Sequence, residues 1–169
     1  MITIRQTGPD DVWPIRSVMT AALASVPMGD FVADDPDFIA RHIGGGEGTG
    51  LVALSKQTVI AYVLVRFPGR AADNLGLDLG LPADELGSVA HMESVAVDPE
   101  WQGHGLQIRL VTAAEELVRT FGMVWSLCTV SPTNTYSLAN FIRLGYERKI
   151  NVVKYGGFER VVLAKRLRS

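Results

Sequence analysis

Polar and apolar positions alternate at the start of the chain, where Ile2 and Ile4 stand among Thr3 and Arg5 with the period of a short strand. The period then lengthens. Behind Pro9, Asp10 and Asp11, the residues Val12, Ile15, Met19, Ala22 and Val26 recur at helical spacing, and the two acids sit at the positive end of the helix they open. A shorter helix is predicted over 36–43, and the glycine-rich run 44–50 reads as a flexible break. Residues 51–55 and 58–66 read as strands joined through Lys56 and Gln57 in a tight hairpin. Residues 68–88 carry loop chemistry with one helical turn after Pro82. Residues 89–97 have no consistently polar parity, so they read as a strand covered on both faces. Strand alternation places Val89, His91, Glu93, Val95 and Val97 on one of those faces. Residues 105–121 carry a helical stripe of Leu106, Leu110, Ala114, Leu117 and Phe121, closed by Gly122. Residues 123–130 form another buried strand. Ser131 or Thr133 caps a helix that runs to Leu144 and stops at Gly145, and 147–154 with 158–167 form a terminal pair around Gly156 and Gly157.

The element order, β-α-α-β-β-β-α-β-α-β-β, implies a mixed sheet with helices on both faces. At 169 residues the chain is sized for one domain over 1–169, and its 47% hydrophobic and 20% charged residues exclude a disordered or coiled-coil chain. The longest aliphatic run, 59–65, is too short to cross a bilayer, and no basic stretch followed by an apolar one opens the chain. The net charge of -2 argues against a nucleic-acid partner. The single cysteine, Cys128, excludes an internal disulfide and fits a reducing, cytoplasmic setting; within its apolar strand it reads as a core residue. His42, His91 and His104 lack metal-ligand spacing, so no metal is expected.

The most informative segment is 93–107, ESVAVDPEWQGHGLQ. A covered strand ends at Val97, Asp98 and Pro99 turn the chain, and Gln102, Gly103, His104 and Gly105 lead straight into a helix. Such a junction offers free backbone N–H groups at a helix N-terminus, and glycine lets an anion approach the backbone closely. An ordinary turn would use the same glycines. The dinucleotide fingerprint lacks its third glycine here, and no Gly-Lys-Ser/Thr occurs.

On these residues the sequence resembles the GNAT superfamily of acyl-CoA-dependent N-acetyltransferases. Gln102, Gly105 and the turn 97–99 match its Gln/Arg-x-x-Gly-x-Gly/Ala signature, except that Gln107 stands where a small residue is usual. Asn134, Ser137, Phe141, Gly145 and Tyr146 match a second block of the family, and the element order matches along nearly the whole chain. The resemblance implies an α/β (α+β) fold: a mixed, mostly antiparallel sheet of about seven strands, helices on both faces, splayed between the fourth and fifth strands. It implies acetyl-CoA as co-substrate, held through Gln102, Gly103, His104, Gly105, Leu106 and Gln107 at its diphosphate. Val95, Ala96 and Val97 would pair with its pantetheine arm, and Asn134, Ser137 and Phe141 would stand near that arm. Gln107 either adds a hydrogen bond to the phosphate or crowds it. Homodimers are common in the family, so a homodimer joins the expectations.

Acyl transfer from a thioester needs a base for the amine, a donor for the oxyanion and little help for the thiolate. Glu93 is the candidate base, directly or through water, with a carboxylate expected to be desolvated in its strand; His91 is the alternative. Many GNAT enzymes place a Tyr acid where Phe141 stands, so the thiolate leaves unaided or a donor such as Tyr136 or Ser137 serves it. The acceptor is expected to be a primary amine of a small molecule or peptide. It would be framed by segments 26–37, 67–86 and 155–158, in which Asp30, Asp34, Asp35, Asp37, Asp73, Asp78, Asp84 and Glu85 either attract a cation or are simply solvated. Two alternatives stay open: a non-catalytic acyl-CoA-binding module or sensor, and a nucleotide-binding module of another class.

Overall fold

Strands β1 (Ile2–Gln6), β2 (Gly48–Ser55), β3 (Thr58–Arg66), β4 (Val89–Val97), β5 (Trp125–Val130), β6 (Glu147–Lys154) and β7 (Phe158–Arg166) form one sheet in the order β1-β2-β3-β4-β5-β7-β6, in a computed structural model that describes residues 1–44 and 46–167. All neighbours are antiparallel except β4 and β5. Helices α1 (Val12–Ala24) and α2 (Pro36–Arg41) cover one face, joined there by the single turn α3 (Leu75–Asp78). Helices α4 (Leu106–Thr120) and α5 (Thr135–Arg143) cover the other. The two covered faces explain why β3 and β4 lack a polar parity. Tyr62 and Leu64 pack beneath α1, while Ala61, Val63 and Val65 pack beneath α4. Among the described residues, no helix is long and apolar enough to cross a membrane.

Four local expectations change. The run 44–50 is only partly a break: Gly48, Thr49 and Gly50 are already in β2, paired with Arg66, Val65 and Leu64, while Gly45 lies outside the described residues. Glycine is needed at Gly48 because a Cβ there would stand 2.0 Å from the carbonyl oxygen of Val65. The buried face of α4 runs through Leu106, Leu110, Val111, Ala114 and Val118; Phe121 follows the last helical turn, half-exposed against Phe67. The cap of α5 is Asn134, whose side chain accepts the Ser137 N–H at 3.2 Å.

The fourth change matters most for function. Leu64 pairs with Ser94 and Val65 with Met92, so Glu93 is an extra residue in β4 with no partner on β3. One extra residue reverses the alternation. Ala90, Met92, Val95 and Val97 face α4, whereas Val89, Ser94 and Ala96 face the α1 side. Val95 and Val97 therefore do not share a face with Val89 and His91.

Candidate active site

Strands β4 and β5 pair only from Val89 with Trp125 to His91 with Leu127. Beyond that point β4 runs on to Val97 and β5 to Val130, and a wedge opens between them. Asp98 donates to the carbonyl of Ile60 at 2.8 Å, which fixes the ladder phase on β3. In an antiparallel ladder alternate residues point the same way, so Ala96 and Ser94 also bond toward β3. Val95 and Val97 consequently turn their N–H and C=O groups into the wedge. A free strand edge of this kind accepts an extended amide-bearing chain.

At the outer end of the wedge, β4 passes through a 3-10 turn at Pro99–Trp101, where Asp98 caps by accepting the Glu100 N–H at 2.9 Å. Gly103 and Gly105 then take left-handed φ values of 83° and 69°, with open space where a Cβ would stand. The backbone N–H groups of residues 103–108 donate to no group among the described residues. They form a cradle at the positive end of a fifteen-residue helix. Gln102 and Gly103 line the adjoining cavity of about 290 Å³ together with Val95, Ala96, Val97, Asn134 and Ser137. His104 turns its ring back toward the carbonyl of Trp101 at 3.0 Å, so it offers the cradle only its main chain. Leu106 is core on its side-chain end. The Gln107 side chain also leaves the cradle clear. It is buried between α4 and α5, donates to Ser137 Oγ at 3.0 Å and accepts from Asn140 at 2.9 Å.

A second cavity of about 130 Å³ continues from the first through the wedge, sharing Phe31, Val95, Gln107, Asn134 and Ser137 with it. Glu93, Asp34, Thr129 and Tyr155 line this inner cavity. A third recess of about 60 Å³ shares Glu93, Thr129 and Tyr155 and reaches His91, Arg66 and Lys154 beyond them. The three cavities thus follow one another as a passage from the cradle, past Glu93, to the recess at His91. His91 is buried beside Glu93, its Nδ1 at 3.4 Å from Oε2 of the carboxylate, and its Nε2 accepts the Leu75 N–H at 3.0 Å. Phe141 borders the inner cavity but belongs to the core, edge-on to Tyr146 at 5.0 Å. Cys128 is buried, and burial pushes its thiol up, which leaves it inert as a nucleophile. Tyr136 lines the outer cavity and not the inner one, whereas the Tyr155 phenol lines the inner one and bonds Thr129 Oγ1 at 2.8 Å.

Of the acidic loop residues, most are already engaged. Asp73 pairs with Arg66, Asp78 with Lys154, Glu85 accepts from Trp125, Asp35 caps α2, and Asp30 accepts from Ser131 and Thr133. Asp34 differs. Its backbone is pinned, accepting from Arg16 at 2.6 Å and donating to the Met19 sulfur at 3.2 Å, but its carboxylate has no hydrogen-bonding partner among the described residues. Burial first, then the nearby Glu93 and Asp35 charges, push it up to about 7, with Arg16 opposing. A folded-state value above the ordinary 3.8 means that the folded protein holds this proton more tightly. The associated stability is present below the ordinary value and is lost as pH rises through about 7. Asp34→Asn should therefore raise the melting temperature at pH 8 and leave it nearly unchanged at pH 4. An equal shift at both pH values would contradict the assignment.

A sequence profile of the acetyltransferase (GNAT) family matches residues 16–146. The chain belongs to that family. No curated protein matches it by sequence. Solved structures match in fold across nearly their whole lengths. The ribosomal-protein-S18-alanine N-acetyltransferase from Escherichia coli superposes with a TM-score of 0.73 at 16% identity, covering 100% of this chain and 96% of that one. The YncA protein of Salmonella typhimurium, solved with its cofactor acetyl-CoA, gives 0.74 at 21% identity, covering 100% and 95%. The PaiA N-acetyltransferase from Thermoplasma acidophilum, solved with coenzyme A, gives 0.72 at 13% identity, covering 98% and 99%.

In this GNAT chain the signature loop, the wedge and Glu93 lie along one passage. Two residues at its inner end, Asp34 and Tyr155, belong to the segments 26–37 and 155–158 expected to frame the acceptor, but nothing in the sequence singles either out within its segment. Asp34 belongs to a run of acids whose individual burial has no signature in the sequence. Tyr155 stands in a left-handed conformation (φ 55°) at a hairpin tip beside Gly156 and Gly157, where an aromatic would ordinarily be read as turn decoration.

Proposed function

We propose that this GNAT protein transfers an acetyl group from acetyl-CoA to a primary amine of a small molecule or peptide, with Glu93 accepting the amine proton directly or through a water. The observation that carries the reading is the continuity of the passage. Unengaged N–H groups at residues 103–108 adjoin a free strand edge at Val95 and Val97, and that edge leads to the Glu93 carboxylate. The cradle suits a diphosphate, and the strand edge suits the amides of a pantetheine arm. The Val95 N–H, at the junction of the two cavities, is the donor placed for the oxyanion. The nitrogen lone pair forms the C–N bond, the C–S bond breaks, the thiolate leaves, and the nitrogen's proton passes to Glu93. The thiolate is a tolerable leaving group, so Phe141 in place of a proton donor is no obstacle. His91, the other candidate base, has its Nε2 lone pair already facing the Leu75 N–H, which favours Glu93. In the inner cavity the Asp34 and Glu93 carboxylates favour a cationic acceptor, with Arg160 opposing on the same lining.

The test is release of CoA thiol from acetyl-CoA across a panel of primary amines and peptide N-termini. Turnover with amines supports the reading, and tight CoA binding with no turnover on any amine contradicts it. The cradle has its own test. Gly105→Ala places a methyl group in the open site and forces alanine into a left-handed conformation, so the Kd for CoA should rise about tenfold or more by calorimetry. An unchanged Kd would remove residues 103–108 from the CoA site.

A further inference from the structure

We infer that His91 aims the Glu93 carboxylate: it is a positioning residue, and the proton acceptor is its neighbour. The inference rests on the acyl-transfer reading above. The His91 ring is buried between α3 and the irregular step of β4, with a different neighbour at each nitrogen. Nε2 stands 3.0 Å from the Leu75 backbone nitrogen. A backbone N–H only donates, so Nε2 is the acceptor and the ring proton sits on Nδ1. Nδ1 in turn faces Glu93 Oε2 at 3.4 Å.

The Leu75 N–H that sets this tautomer is itself held in place. Leu75 opens α3 directly after Asn74, which is fully buried and uses both ends of its amide. Asn74 accepts the Gly76 N–H at 2.8 Å and donates to the carbonyls of Gly69 at 2.8 Å and Leu86 at 3.2 Å. A fixed turn therefore fixes the tautomer, and the tautomer presents a donor to the carboxylate. Glu93 needs such support because it is the extra residue of β4, outside the ladder that holds its neighbours to β3.

The other charged and titratable groups around Glu93 are occupied or repulsive. Asp34, from the segment between α1 and α2, is pushed up to about 7 by burial and then by the Glu93 charge, so the two carboxylates repel when both are ionised. Arg66 of β3 is held bidentate by Asp73, Lys154 of β6 is held by Asp78, and the Tyr155 hydroxyl is bonded to Thr129. Arg160 of β7, which lines the same cavity, is turned to the carbonyls of Glu159 and Gly29, and among the described residues His91 Nδ1 is the only Lys, Arg or His side-chain nitrogen within 4 Å of the Glu93 carboxylate.

The test compares three variants by kcat at pH 7 against KM for acetyl-CoA. H91N keeps a donor near the Nδ1 position, H91Q keeps an acceptor near the Nε2 position, and H91A keeps neither. Without that neighbour the carboxylate is free to turn away, so the chemical step should suffer and acetyl-CoA binding should not in H91Q and H91A. In those two variants kcat at pH 7 should fall about tenfold with KM for acetyl-CoA unchanged, while H91N stays within about twofold of the parent. Melting temperature and CoA affinity identify any variant that fails to fold, and H91N against H91Q carries the comparison if H91A does. A kcat at pH 7 that stays at the parent's value in H91Q overturns the inference. H91N as inactive as H91A also overturns it, because the ring itself would then be the base. E93Q with the parent's rate removes Glu93 from the reaction and the inference with it, a result separable from failure within the His91 series alone.

Discussion

Replacing Glu93 with Gln lowers kcat/KM for the amine by roughly a hundred- to ten-thousand-fold, the contribution of a positioned general base, and leaves acetyl-CoA affinity within about twofold of the parent. The two effects separate because the two ends of the passage are built from different elements. The cradle is main chain at the start of α4, whereas Glu93 stands in the irregular step of β4 where the inner cavity begins. Gln keeps the size of the side chain and loses the capacity to take a proton. An aliphatic amine enters mostly protonated near neutrality, so the variant's residual rate should climb with pH as free amine accumulates in solution. Steady-state kinetics from pH 6 to 10 with calorimetric CoA binding checks both parts. Unchanged turnover across that range would remove Glu93 from the mechanism.

Gly48→Ala is the substitution with the largest expected cost to stability. The added Cβ would stand 2.0 Å from the Val65 carbonyl oxygen and 3.1 Å from the His42 ring, and the closer atom is backbone that cannot turn aside. Separating β2 from β3 to make room stretches the ladder that carries the centre of the sheet, so a loss of about 3 kcal/mol is expected. For a chain of this size that corresponds to a melting temperature roughly 10 °C lower. Gly8→Ala is the matched control. Gly8 has an extended φ of -131° and nothing within 4 Å of an added Cβ, so the change should be nearly neutral. Equal melting temperatures for the two variants would contradict the close approach at Gly48.

Gly48 also illustrates what one sequence discloses. Glycine marks a break in most contexts, and composition alone cannot separate a flexible turn from a strand residue pressed against its neighbour's carbonyl. The cradle was legible because strand, Pro turn and paired glycines before an amphipathic helix form a local pattern whose chemistry is main chain. The faces of β4 were not legible. Alternation holds until a residue is inserted, and the insertion at Glu93 exists only in the pairing with Leu64 and Val65. Gln107 could be flagged as unusual but not aimed, since its direction depends on Ser137 and Asn140, thirty or more positions away. Asp34 was visible as one acid among several. What distinguishes it is burial without a partner: Asp30, Asp35, Asp73, Asp78 and Glu85 are engaged, and Asp37 and Asp84 are exposed, a tertiary fact. Elements set by their own segment are legible in one sequence, and side chains aimed by distant partners need the fold.

The position of acetyl-CoA is measured most directly by a crystal structure with that molecule bound. The expected result is a diphosphate on the N–H groups of residues 103–108, a pantetheine arm paired with Val97 and Val95, and the thioester carbonyl in the wedge, within hydrogen-bonding distance of the Val95 N–H and open toward Glu93. A diphosphate seated elsewhere, or an acyl group pointing away from the space between β4 and β5, would contradict it.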